Sequence, residues 1–237
     1  MDLYNILSKF TIEEILYYEE NYDKQYIYLK KLYENIKDKN LFLKLIIINS
    51  LLAFQLSYKG EDFWKIFSEY FSKNHNNICE NFLDFIQKYN KRYIEIKIKR
   101  LKKICEWIKD KNLLEYKDNL KKLNIDLAKV MDQNIYDKTI VFSIKMFGYG
   151  LRIVGYEIIY PFDIFIPIDN RIGKINKDKN FWINLSKKVG IPLLHIDSVI
   201  WITMGLKDEE IENMKEKSLK DKVIELKNYL NNIINNQ

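Results

Sequence analysis

Apolar residues recur every three to four positions through most of this chain, the spacing that puts one face of an α-helix into a core. In residues 11–22 the step runs through Ile12, Ile15, Leu16 and Glu19. Thr11 stands where an N-cap belongs, and Glu14, three residues on, completes a capping box. Residues 41–55 are apolar on nearly every side, which predicts a helix buried all round. The Tyr58-Lys59-Gly60-Glu61 stretch reads as a break. A helix over 62–73 then places Trp64, Phe67 and Phe71 together, and helices over 81–89 and 93–109 follow.

A short helix is predicted over 116–123. Asp126 offers a new N-cap for a second short helix over 127–131, and a tight link, 133–137, leads into the helix that Lys138 opens. Short helices joined by a tight link have the outline of a helix-hairpin-helix, which grips nucleic-acid backbone through amide groups. An ordinary αα-hairpin has the same outline, and no glycine occupies the link.

All three prolines (Pro161, Pro167 and Pro192) lie in the second half of the chain. Those at 161 and 167 disfavour helix in the residues before them, so 161–168 is expected to be extended or irregular. Gly190-Ile191-Pro192 is a turn, 195–204 an apolar helix, and 207–234 a charged closing helix. The fold class expected is all-α, with two packed helical lobes. Three regions are expected: 1–119, 120–182 with the hairpin, and 183–237 with the C-terminal helices.

Composition narrows the class. The 237 residues are 47% hydrophobic and 30% charged, as in a globular protein able to bury its own core. The apolar run 43–54 is interrupted and too short to span a bilayer. The opening MDLYNILSKF is unlike a secretory signal. Cys79 and Cys105 are far apart and show neither metal-ligand spacing nor a disulfide framework, so a reduced, cytoplasmic protein is expected. Net charge is +6, a mild bias that permits a polyanionic partner without requiring one. The basic concentration at 91–111, KRYIEIKIKRLKKICEWIKDK, is either a solvated helix face or a surface that tracks phosphates.

Chemistry concentrates between Asp137 and Arg171. Lys138 sits at a helix start, where aligned peptide dipoles disfavour an ammonium, and burial would act the same way. A neutral amine is a nucleophile. Lys145, seven residues on, returns to nearly the same face. It reads equally as a nucleophile, a phosphate contact or a snorkelling side chain, and pattern does not separate the two lysines. Asp169 follows an almost uncharged segment and suits either a helix N-cap or a partner for a developing cation; Asp163 shares that ambiguity. Asp197 and Trp201 are one turn apart, on one face. His195 reads as a structural, hydrogen-bonding residue. Trp64 and Trp201 are placed where a planar ligand could stack.

Taken together, KTIVFSIKM (138–146), YPFDIFIPIDNR (160–171) and GIPLLHIDS (190–198) resemble the archaeal GO glycosylases. So does the Gln25-Tyr26 pair with LLAFQLSYKGEDFW (51–64). The similarity runs from about Gln25 to Trp201. These enzymes excise 8-oxoguanine from DNA and form a branch of the helix-hairpin-helix glycosylases.

The resemblance implies Lys138 as nucleophile and Asp169 as catalytic aspartate. It implies base-pocket positions at Gln25, Ala53, Trp64, Pro167, Asp197 and Trp201. Ala53 departs from the family's usual serine, and the usual glycine-rich hairpin is missing. No metal or organic cofactor is implied. The partner expected is duplex DNA carrying 8-oxoguanine, with single strands an open alternative, acted on by a monomer. Two other readings stay open: a non-catalytic helical nucleic-acid-binding module, and a glycosylase for a different damaged base.

Overall fold

The computed structural model describes residues 2–235, which form fourteen α-helices and no strand. In chain order these are α1 (Leu3–Leu7), α2 (Ile12–Tyr22), α3 (Lys24–Ile36), α4 (Lys39–Leu52), α5 (Gly60–Phe71), α6 (Ile78–Tyr89), α7 (Ile94–Ile108) and α8 (Leu120–Met131). After them come α9 (Lys138–Ile153), α10 (Ile172–Ile175), α11 (Lys179–Val189), α12 (Leu193–Gly205), α13 (Asp208–Glu212) and α14 (Lys217–Asn235). A 3-10 turn, Leu113–Tyr116, precedes α8. The charged closing segment is thus two helices, α13 and α14. The last two residues of the expected 183–237 region, and the first of 1–119, lie outside the described residues.

The chain divides into two compact units. One joins residues 1–23 to 162–237; the other is 24–161. These boundaries differ from the three sequence regions because the first two helices pack with the C-terminal third: α2 lies against α12, and α1 against α11 and α14. Sequence continuity carries no sign of that return.

In the 24–161 unit, α4 and α9 form the central pair. Every residue of α4 from Leu45 to Leu52 is buried, as an all-round apolar helix requires. Two glycines of α9 permit the close approach. A Cβ on Gly150 would lie 2.6 Å from Ile46 Cδ1, and one on Gly148 would overlap the Tyr160 ring, with Cζ and the hydroxyl both at 2.8 Å. Cys79 of α6 and Cys105 of α7 are joined in a disulfide, with Cα atoms 6.1 Å apart. The expectation of two unpaired, reduced thiols is therefore wrong. Packing of α6 on α7 brings together residues that spacing alone does not pair.

The helix predicted to restart at Asp126 does not. α8 runs unbroken from Leu120 to Met131, because the Asp126 carboxylate accepts the Tyr116 hydroxyl at 2.7 Å instead of capping a new turn. The link to α9 is where it was expected. Asp132 takes the left-handed conformation (φ 51°, ψ 46°) that a glycine would otherwise supply, a region aspartate tolerates better than most residues. Asn134 and Asp137 then close the turn on themselves: Asn134 N–H donates to the Asp137 carboxylate at 3.1 Å, and Tyr136 N–H to Asn134 Oδ1 at 2.9 Å.

Several helix ends are closed by cations from other helices. The carbonyl of Leu51, in the last turn of α4, accepts from Arg100 of α7 at 3.0 Å. Lys109, just after α7, offers its carbonyl to Lys44 of α4 at 2.9 Å. At the end of α12, Thr203 and Leu206 accept from Lys227 of α14 at 3.1 and 2.7 Å. Positive charge at a helix C-terminus satisfies orphan carbonyls and complements the dipole there.

Candidate active site

In the 24–161 unit, α9 is buried from Thr139 to Leu151 with one half-buried exception, Phe142. Lys138, at its first turn, is exposed. The burial expected around this amine is therefore absent from the chain itself. Lys145 differs, at 1% exposure. It does not snorkel; its ammonium lies 5.9 Å from the Tyr149 ring centroid. Lys138 and Phe142, four residues apart, thus form the accessible start of a stripe that Lys145 continues into the interior.

Gln25 of α3 is buried. Ala53 is the C-cap of α4 and half-buried. Trp64 of α5 is 1% exposed and meets Phe67 and Phe142 edge-on, with centroids 5.2 and 6.1 Å away. Gly60, read as part of a break, opens α5; the irregular stretch is 53–59, with Gln55 at positive φ. Phe142, which packing joins to Trp64, was not singled out by pattern because an aromatic at helical spacing reads as core.

The other unit holds a second cluster. Residues 161–168, expected from their prolines to be extended or irregular, form no helix, and the helix-free stretch continues to 171. Asp169 ends this stretch, and its two oxygens have different partners. Oδ1 accepts from the backbone N–H of Arg171 at 2.8 Å and of Ile172 at 2.9 Å, capping α10. Oδ2 accepts from the Trp201 indole at 3.2 Å. Arg171 completes the cluster. Its guanidinium lies 4.1 Å from the Trp201 ring centroid and donates to the Trp201 carbonyl at 3.1 Å. Arg171 was noted only as part of a motif; a stacked guanidinium leaves no mark on periodicity.

Pro167 is buried, and its carbonyl accepts the Asp169 N–H at 2.9 Å. Asp197, one turn before Trp201 on α12, is 2% exposed. Asp163 is exposed. His195 is fully buried, with Nδ1 2.8 Å from the equally buried Glu19 carboxylate, which matches the structural role expected of it.

Comparison with known proteins decides the family. The model for the AGOG family, described as N-glycosylase/DNA lyase, matches residues 4–233. The chain belongs to the AGOG family of N-glycosylase/DNA lyases. An N-glycosylase/DNA lyase of Nanoarchaeum equitans is 42% identical over 234 residues, 98% of either chain. One of Methanococcus maripaludis is 38% identical, across 97% of this chain and 94% of its own. Among solved structures, the AGOG 8-oxoguanine DNA glycosylase of Pyrobaculum aerophilum, crystallised with 8-oxoguanosine, superposes with a TM-score of 0.79. It is 26% identical and is matched over 94% of this chain and 93% of its own. The all-helical AGOG architecture is therefore the fold of this chain, and the enzyme is a DNA glycosylase with lyase activity. Among the described residues, no helix is long and apolar enough to cross a membrane.

Proposed function

We propose that this AGOG enzyme removes 8-oxoguanine from DNA and cuts the strand through a Schiff base on Lys138. The observation that carries the lysine assignment is the contrast within α9: Lys138 is exposed at the helix start, whereas Lys145 is buried. The solved relative crystallised with 8-oxoguanosine supports the choice of lesion.

The target nucleotide leaves the stack, since its sugar is unreachable within a duplex. Cover by the extruded nucleotide supplies the desolvation that the free chain does not give Lys138. The Lys138 amine attacks C1′, and the glycosidic electron pair departs with the base, which takes up a proton. Asp169 stabilises the positive charge developing on the sugar and takes the proton that the amine sheds. The ring opens to a Schiff base; loss of a C2′ proton then expels the 3′-phosphate.

The residues assigned to base recognition, by family resemblance, are Gln25, Ala53 and Trp64 of one unit and Pro167, Asp197 and Trp201 of the other. Trp201 is partly exposed but already lies against the Arg171 guanidinium, and Trp64 is covered, so stacking on the base by either ring requires its present neighbour to yield. 8-Oxoguanine carries N–H at position 7, where guanine has a lone pair. A buried acceptor, the Gln25 carboxamide or a backbone carbonyl near Pro167, rewards the lesion and rejects guanine. The working form is a monomer acting on duplex DNA in the cytoplasm.

Borohydride trapping tests the assignment. The unaltered chain forms a covalent adduct with lesion DNA, and Lys138→Gln abolishes it. An adduct that survives in Lys138→Gln but vanishes in Lys145→Gln overturns it. A panel of duplexes with oxidised, alkylated and deaminated bases separates 8-oxoguanine from any other preferred lesion.

A further inference from the structure

The basic segment at 91–111 is neither simply a solvated face nor simply a phosphate surface. Two of its cations point inward. Lys97 is fully buried; it donates to the Asn90 carbonyl at 3.2 Å and to the Asn90 side-chain oxygen. Asn90 in turn donates from Nδ2 to the Leu52 carbonyl at 2.8 Å. Arg100 Nη1 reaches two acceptors, the Leu51 carbonyl at 3.0 Å and the Thr139 hydroxyl at 3.2 Å. Thr139 passes its own proton to Gln133 at 3.3 Å, so its oxygen is free to accept. Both cations lie over the Phe54 ring, at 4.9 and 4.5 Å from its centroid.

These contacts converge on two of the places in the 24–161 unit that carry proposed site residues. Leu51 precedes Ala53 by two residues, and Thr139 directly follows Lys138. Burial disfavours the Arg100 charge, and the Asp137 carboxylate offsets part of that. A guanidinium is planar and holds its donors in a fixed fork, so a residue bridging two helix ends sets their spacing more firmly than a flexible ammonium does. A displacement of about 1 Å in a reacting group can cost on the order of a hundredfold in rate.

We propose that Arg100 is a positioning residue for the reaction: it ties the first turn of α9, which carries Lys138, to the end of α4, which carries Ala53. This rests on the assignment of Lys138 as nucleophile. Arg100→Met keeps the apolar stem and removes the bridge; Thr139→Val removes one acceptor and leaves the cation in place. The measurement is the single-turnover rate of borohydride-trappable adduct on a preformed abasic duplex, taken beside the Kd for that duplex at several salt concentrations and the melting curve.

Arg100→Met is expected to slow adduct formation by about ten- to a hundredfold while Kd changes less than twofold. Arg100→Lys is expected to recover part of the rate, and Thr139→Val to show a smaller loss of the same kind. The inference is overturned by an unchanged rate in Arg100→Met. It is overturned equally by a loss that lies in Kd with a salt slope reduced by about one, the mark of a phosphate contact. A loss that follows the unfolded fraction and disappears on cooling also overturns it. Absence of any adduct in the unaltered chain removes the lysine assignment and this inference with it, whereas an adduct lost in Lys138→Gln but indifferent to Arg100 removes this inference alone.

Discussion

The Trp201 indole donates to Asp169 across 32 residues of chain, at 3.2 Å, while the other oxygen of that carboxylate caps α10. One side chain therefore does two jobs with two atoms. Asp169→Asn keeps an oxygen for the cap but loses the charge. It should slow single-turnover base excision by about a hundred- to a thousandfold, the scale of removing a group that faces developing charge, with DNA affinity changed far less. Equal losses in excision and binding would reduce Asp169 to a structural cap. Trp201→Phe keeps a stacking ring and deletes the N–H; a hydrogen bond to a charged group is worth about 1.5–3 kcal/mol, so a loss of roughly ten- to a hundredfold in excision is expected.

Gly148 gives a test of the α9 packing. The Tyr160 hydroxyl donates to the Lys145 carbonyl, and a methyl group at 148 would occupy the space of that ring. Gly148→Ala should destabilise the protein by about 1–3 kcal/mol, the usual penalty for overpacking, read as a lower midpoint in urea. The smaller ring-deleting change Tyr160→Leu, combined with Gly148→Ala, should be less than additive, because the clash is then gone. Full additivity would show that the two residues do not compete for one space.

The Cys79–Cys105 bridge closes a loop with a sequence separation of 26. Loop-closure entropy alone gives such a link about 3 kcal/mol. Cys79→Ser with Cys105→Ser, or reduction of the native chain, should lower the unfolding free energy by that order. Thiol titration of the unfolded chain with and without reductant measures whether the bridge is formed; two thiols without reductant would remove the prediction. An intracellular setting is compatible with such a bridge in some lineages.

Lys97 supplies a pH signature. Burial, helped by the Arg92 charge, brings its ammonium down to about 8. Between pH 8 and the ordinary lysine value near 10.5, the unfolded chain then binds more protons than the folded one, so stability due to this group rises with pH. Below pH 8 the cost of burying the charge is fully present. Relative to Lys97→Met, the native chain should therefore gain about 1–3 kcal/mol between pH 7 and pH 9.5, measured by chemical denaturation. A difference that stays flat with pH would show that Lys97 keeps its proton throughout.

What sequence could reveal depended on the range of the interaction. The capping box at Thr11 and Glu14 forms as expected, at 3.2 and 3.0 Å, because both partners lie within one turn. The irregular stretch after Tyr160 follows from the local stiffness of proline. Asp126 failed as a helix start because a tyrosine ten residues earlier takes its carboxylate. The exposure of Lys138, the inward turn of Lys97 and Arg100, and the disulfide all depend on which helices meet. Hydrophobic period says that a helix has a buried face; it does not say whose side chains will end it. The residues proposed for the site rest on family resemblance, whereas the bond between Asp169 and Trp201 left no sign in the sequence, since neither local spacing nor composition joins positions 169 and 201.

Three helices, α4, α7 and α12, are closed by side chains that belong to other helices: Arg100, Lys44 and Lys227. The boundary of each is therefore written partly elsewhere in the gene. A change at 44, 100 or 227 acts first on a distant helix end, and related sequences that alter one of these positions should show a matching change at the end it serves.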